Sequence, residues 1–324
     1  MSYRGIPLAI CAVAILGGTT SAFAQTDYPN RPIRLIVPFA PGGGSDIVAR
    51  ATALKMGEVL RQTVVVDNRG GAGGVIGMEM IVRAPPDGYT LGVGTGSIAT
   101  SAALTKLPYD PVKDVQAISM IAETGYLLVI HPSLPVKTTR ELIAYAKANP
   151  SKVTYGSSGT GGTAHLAGEL LDLLAGTKMT HVPYKSSGPA LTDLLGGQIS
   201  MIYGSLPVIV PQMGSGRFRV IANTTLKRSR RLPDIPTVAE SGVPGYDTTT
   251  YFCLIGPKGM PQVLLSRLQT ALKDALQSKE LKDRFEADGL EVPEIGSAYL
   301  ERVIKADIEK WTRVVKAANI RVSN

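Results

Sequence analysis

Hydrophobic and polar positions along this chain follow two alternating rhythms. Short apolar runs bounded by turn-forming residues predict strands near Ile33–Val37, Thr63–Asp67, Thr90–Gly94, Leu127–Ile130, Val153–Gly156, Lys178–Val182, Ile199–Tyr203, Arg219–Asn223 and Tyr251–Gly256. Between them, apolar residues at helical spacing predict helices near Asp46–Arg61, Val75–Ala84, Thr139–Ala148, Thr163–Ala175 and Ala190–Leu195. Strands alternating with helices of this length imply right-handed βαβ units and mainly parallel sheets. After Pro257 the rhythm becomes helical throughout, over Pro261–Gln277, Lys279–Asp288 and Ser297–Ala318. Trp311 falls in the apolar stripe of the last of these and reads as a packing anchor.

Two strand-to-helix junctions stand out. Arg34–Ala51 reads RLIVPFAPGGGSDIVARA, and Val153–Leu170 echoes it as VTYGSSGTGGTAHLAGEL. Glycine lets a backbone approach a ligand closely, and the helix start that follows aims unpaired N–H groups and a partial positive charge at it. Two such turns in two halves of a chain suggest two jaws on one small anion. In the first, Gly43 and Gly44 expose donors, and Ser45 or Asp46 caps the helix. The Asp46 carboxylate is expected to engage backbone donors, bridging water or a ligand hydroxyl rather than the acid group of the ligand. In the second, Ser157, Ser158, Thr160 and Thr163 supply hydroxyls around Gly159, with His165 one step into the helix. Tyr184 and Lys185 add a phenol and a cation after the next strand. All three segments open at the C-terminal ends of strands, where sheets of this kind place ligands.

Composition narrows the setting. Residues 1–24 read as a secretory signal: Arg4 is the positive segment, Ile6–Leu16 the apolar run, and Ala22-Phe23-Ala24 the cleavage motif before Gln25. The apolar run is too short to span a bilayer, so the mature chain is expected to be soluble and exported. Loss of Cys11 with the signal leaves Cys253 alone, so no internal disulfide is available and the core must hold the fold. A mature chain of this length suggests two lobes. The formal net charge of +8 suits a binder of acids through a weak steering field. The run Lys227-Arg228-Ser229-Arg230-Arg231 lacks interleaved aromatics, so it reads as a solvated loop and not a nucleic-acid surface.

Signals for chemistry are poor. No G-x-S-x-G elbow, H-E-x-x-H, Walker A loop or C-x-x-C occurs, and His131, His165 and His181 lack paired spacing for a metal. Cys253 lies in an apolar run and reads as a buried, inert thiol. Gly159-Thr160-Gly161-Gly162-Thr163-Ala164 matches the dinucleotide pattern G-x-G-x-x-A. The chain then runs His181-Val182-Pro183-Tyr184-Lys185, with no acid for a ribose. No cofactor is expected.

Over essentially the whole mature sequence the chain closely resembles the extracytoplasmic solute-binding proteins of tripartite tricarboxylate transporters, the Bug family. The motifs that carry the resemblance include Tyr28-Pro29-x-Arg31-Pro32-Ile33, Val37-Pro38-Phe39-x-Pro41-Gly42-Gly43 and Asn68-Arg69-x-Gly71-Ala72-Gly73-Gly74. Further ones are Pro86-Asp87-Gly88-Tyr89-Thr90-Leu91, His165-Leu166-Ala167-Gly168-Glu169 and Val182-Pro183-Tyr184-Lys185. The resemblance implies an α/β, two-lobed type II periplasmic-binding-protein-like fold with mainly parallel sheets and a helical C-terminal segment. It implies lobe 1 from residues 25–124 plus 252–324 and lobe 2 from 125–251, with crossovers near Thr124–Tyr126 and Thr250–Phe252. Thr95 and Ser97 would join the first jaw. Where members usually carry an aspartate before Ser-Leu-Pro, this chain has Gly204, which argues against an amino-acid ligand. Where members often carry Thr-His-Ala, it has Ser97-Ile98-Ala99.

The expected function is capture of a small carboxylate by a monomer that closes by hinge motion and docks on membrane transporter subunits, without catalysis. A secreted α/β enzyme acting on such acids and a sensor for a membrane signalling receptor are the alternatives.

Overall fold

The structure is a computed structural model and describes residues 28–320. The expected signal segment lies outside the described residues. Nine strands are formed: β1 (Ile33–Val37), β2 (Val64–Asn68), β3 (Thr90–Thr95), β4 (Val115–Ile130), β5 (Thr154–Ser157), β6 (Thr180–Pro183), β7 (Met201–Ser205), β8 (Arg219–Asn223) and β9 (Thr249–Pro257). Among the described residues they join one continuous sheet in the order β2-β1-β3-β9-β4-β7-β5-β6, with β8 also paired to β4. The helices are α1 (Gly44–Leu60), α2 (Val75–Val82), α3 (Ser97–Leu104), α4 (Thr139–Ala148), α5 (Thr163–Ala175), α6 (Ser187–Leu195), α7 (Leu206–Ile209), α8 (Gln262–Gln277), α9 (Lys279–Ala287) and α10 (Ser297–Ala317). None of them is long and apolar enough to cross a membrane.

The flanks of the sheet are parallel, β1 with β2 and β3 and β5 with β6 and β7, as helical crossovers require. The centre differs. β9 runs antiparallel to β3 and β4, and β4 antiparallel to β7 and β8, because these strands carry the chain between halves instead of closing a βαβ unit.

Strand β4 joins the two lobes. It pairs with β9 from Val115 to Gly125, then with β7 and β8 from Tyr126 and Leu127 onward. Its side chains reach four separate apolar clusters: Ile118 and Ile121, Ala117 and Met120, Leu128 and Ile130, Leu127 and Val129. In β1 the alternation is strict: Ile33, Leu35 and Val37 pack toward α1 and α8, while Ile36 packs toward α2 and α10. Each such aliphatic side chain contributes roughly 1.5–3 kcal/mol on burial. Both faces of both halves are therefore covered, and the strand ends meet in the gap between the lobes. Trp311 is buried against Ala99 and Leu166, one residue from each side of that gap. Cys253 is fully buried and its thiol pKa is pushed up by desolvation.

Candidate functional site

The Gly42–Gly44 turn links β1 to α1. Gly42 has φ +80, a conformation natural to glycine. Its N–H donates to Asp46 Oδ2 at 3.0 Å, and Asp46 Oδ1 pairs with Arg50 at 3.0 Å. Burial raises the Asp46 carboxyl, but Arg50, the Gly42 amide and Asn68 together hold it below its ordinary value. Asp46 is thus an ionised brace on the turn, with both oxygens engaged within the protein; the N-cap of α1 is Gly43, so neither Ser45 nor Asp46 caps the helix as expected.

The second turn, between β5 and α5, is braced from the same helical position. His165 Nδ1 accepts the Gly161 N–H at 3.2 Å, and Gly161 has φ +82. His165 stacks on His181 with centroids 4.0 Å apart, and Ser157 Oγ lies 2.6 Å from His181 Nε2. Burial first, and His165 second, push His181 down to about 3.

The two lobes touch across the gap. Ala40 N–H donates to the Lys185 carbonyl at 3.0 Å, and the Thr100 and Ser101 hydroxyls donate to the Gly161 carbonyl at 2.6 and 3.2 Å. The cleft is closed. Between the lobes lies a cavity of about 40 Å³, lined by residues of both.

The cavity has two polar patches. One is formed by Gly43, Gly44 and Ser45 at the start of α1, facing Ser186, Ser187 and Ser205. The other holds Thr95, Ser97, Ser158, Thr163 and Thr250. Phe39, Tyr126, Tyr203 and Phe252 supply aromatic walls. Five helices, α1, α3, α5, α6 and α7, begin here, and none is capped by the side chain of its N-cap residue, although Thr95 Oγ1 accepts the first N–H of α3, from Ser97, at 3.2 Å. By contrast α4, outside the cleft, is capped: Thr138 accepts from Glu141 N–H, and Glu141 accepts from Lys137 N–H. Helices α8 to α10 also lack side-chain caps. The cleft helices are distinguished by opening onto a shared buried cavity.

Ser186 and Ser205 sharpen the picture. Each is the N-cap residue of a helix, α6 and α7, yet neither hydroxyl caps its helix, and both oxygens are buried without a protein partner. Buried hydroxyls are normally hydrogen-bonded, so two orphans aimed at the same patch point to a missing acceptor or donor. Among the described residues, no Asp, Glu, Lys, Arg or His lines the cavity. Tyr126 and Tyr203 are both pushed up by burial and stay neutral phenols. The arrangement offers many neutral donors and no charged counter-group.

Of the residues expected from sequence, Gly43, Gly44, Thr95, Ser97 and Thr163 line the cavity. Asp46 and His165 stand behind it as braces, and Ser157 is tied to His181 and to the Gly159 N–H. Gly159 and Thr160 lie outside the lining, against Gly73 of the facing lobe. Tyr184 is turned to Asp193 at 2.7 Å, and Lys185 contributes its carbonyl to the closure contact while remaining exposed. A Cβ at Gly204 would meet the Ile209 side chain at 2.5 Å, so that position faces the core and not the cavity. Sequence reading did not place Phe39, Tyr203 and Ser205 at a ligand. Their only local signal was a position at or just beyond a strand end.

A strand shared by two α/β lobes, with a neutral, donor-rich cavity enclosed between them, defines a two-lobed solute-binding protein. The family model described as the tripartite tricarboxylate transporter family receptor, TctC, matches residues 48–320, and the chain belongs to that family. Protein BugT of Bordetella pertussis is 36% identical over 320 residues, 97% of this chain and 98% of that protein. Among solved structures, Rpa4515 of R. palustris with adipate is 36% identical with a TM-score of 0.87, covering 91% of this chain and 99% of that one. MatC (Rpa3494) from Rhodopseudomonas palustris with bound malate is 30% identical with a TM-score of 0.86, covering 89% and 100%.

Proposed function

We propose that this receptor captures a small carboxylate in the interlobe cavity and delivers it, in the periplasm, to a tripartite tricarboxylate-type transporter. The observation that carries the reading is the pair of orphaned hydroxyls, Ser186 and Ser205, beside the uncapped start of α1. An anion held by several N–H and O–H donors in a low-dielectric cavity needs no cationic partner. The absence of an acidic side chain in the lining disfavours an ammonium group on the ligand. The relatives bound to adipate and to malate support an acid with carboxylates at both ends, and the two polar patches suit that shape.

Several finer points belong to the same proposal. The signal is cleaved after Ala24. Lobe 1 comprises residues 25–124 plus 252–324 and lobe 2 residues 125–251, a division supported by the change of partners within β4 at Gly125 and Tyr126. The protein acts as a monomer, and the neutral lining with its engaged Ser157–His181 pair argues against catalysis. Titration calorimetry of the mature protein with adipate, malate and a panel of other acids tests the reading. Binding of at least one acid, with amino acids weaker, is expected. Binding only of sugars or cations would overturn it.

A further inference from the structure

His165 is nearly buried and points away from the cavity, yet it touches everything that shapes the second jaw. Its Nδ1 accepts the Gly161 N–H, so in this geometry the ring proton sits on Nε2, which faces Glu169 Oε1 at 3.6 Å. The Gly161 carbonyl on the same residue receives both hydroxyls that cross the gap, from Thr100 and Ser101. One glycine thus links a histidine inside lobe 2 to the contact that closes the cleft.

Taking the cleft as the carboxylate site, we infer that His165 is the positioning residue of the second jaw. Its neutral imidazole holds Gly161 so that the carbonyl meets the facing lobe, and closure requires that neutrality. A second proton on Nδ1 would set one N–H against another and release the turn.

The surroundings fix which state the geometry selects. Around the ring stand Glu169 and Asp172 on α5, Tyr155 and Ser157 on β5, and His181 on β6, with Tyr203 and Tyr246 behind them. Tyr155 OH donates to Glu169 Oε1 at 2.8 Å. Burial raises the Glu169 carboxyl, but the nearby His165 ring and the Tyr155 hydrogen bond outweigh it and hold the group below its ordinary value. An ionised Glu169 draws the ring proton to Nε2 and leaves Nδ1 free to accept. The stacked His181, pushed down to about 3, adds no charge of its own.

The test uses the mature protein with adipate and malate as probes. Imidazole 15N shifts should show His165 protonated at Nε2 and bare at Nδ1 near neutral pH. His165→Phe keeps the stack on His181 and removes the acceptor, so it should bind about fivefold to tenfold more weakly, the effect of one lost hydrogen bond on closure, and exchange the Gly161 amide faster. His165→Asn carries an amide oxygen that can reach back as Asp46 does to Gly42, and it should recover most of the affinity. An Nδ1-protonated ring, or a His165→Phe protein with unchanged affinity and unchanged Gly161 exchange, would overturn the inference. Failure of wild type to bind either acid would count against the carboxylate reading alone, because the ring tautomer and Gly161 exchange are read without ligand.

Discussion

The two jaws are built to one plan and braced by different chemistry. In each, the third residue of a helix reaches back four positions to a backbone N–H: Asp46 to Gly42 in α1, His165 to Gly161 in α5. The first brace is a carboxylate, paired with Arg50 and held below its ordinary pKa. The second is an imidazole, in contact with Glu169 and stacked on another imidazole. A shared backbone geometry is thus held by two unlike side chains. The first jaw is a fixed surface against which the second closes.

The largest effect is expected from Gly43→Val. A Cβ at Gly43 would lie 3.0 Å from Ser186 Cβ in the facing lobe, so the side chain would hold the jaws apart as well as crowd the ligand. Overpacking of this kind costs about 1–3 kcal/mol, which predicts an affinity loss of about 10- to 100-fold by calorimetry. The melting temperature should change little, since Gly43 has φ −87 and no strain is introduced.

Next in size is removal of the first brace. Asp46→Ala leaves the Gly42 N–H without its acceptor and Arg50 without its partner, and should destabilise the protein by about 1–2 kcal/mol and weaken binding about tenfold. The Asp46 carboxyl is lowered from 3.8 in the folded protein, so its stabilisation is present above the unfolded value and lost as pH falls through the folded one. Denaturant melts of wild type and Asp46→Asn should therefore converge only below pH 3.8.

The smallest effect on stability separates ligand donors from braces. Ser186→Ala and Ser205→Ala delete hydroxyls with no partner in the protein, so each should leave the unliganded melting temperature unchanged or slightly raised. Affinity for the bound acid should still drop about threefold to tenfold for each. A fall in stability without a fall in affinity would reassign both residues to the fold.

Much of this was legible in the sequence, for local reasons. β1 and β8 lie where alternation or an apolar run put them, and α4 and α5 match their apolar spacing. The glycine turns announced themselves because few other residues accept their backbone angles. Three elements were missed or cut short: strand β4, helix α3 and the short helix α7. Strand β4 was read only from Leu127, since Ser119, Glu123, Thr124 and Gly125 interrupt its apolar run; their pairing with β9, some 130 residues distant, supplies what the local pattern lacks. Helix α3, Ser-Ile-Ala-Thr-Ser-Ala-Ala-Leu, turns its polar stripe of Ser97, Thr100 and Ser101 inward to the cleft, so no charged, solvent-facing side marks it in the sequence. At the site, residue type suggested donors but not their direction. Lys185, the expected cation, points to solvent, and His165 turns inward to its own loop.

Strand β4 has a consequence for how the molecule comes apart. Sixteen residues in one ribbon feed both hydrophobic interiors, on both faces. Neither half owns a complete interior without it. Heating should therefore melt the pair in a single cooperative step, and a chain severed at Gly125 would expose raw strand edges on both fragments, each more prone to aggregate than to stand alone.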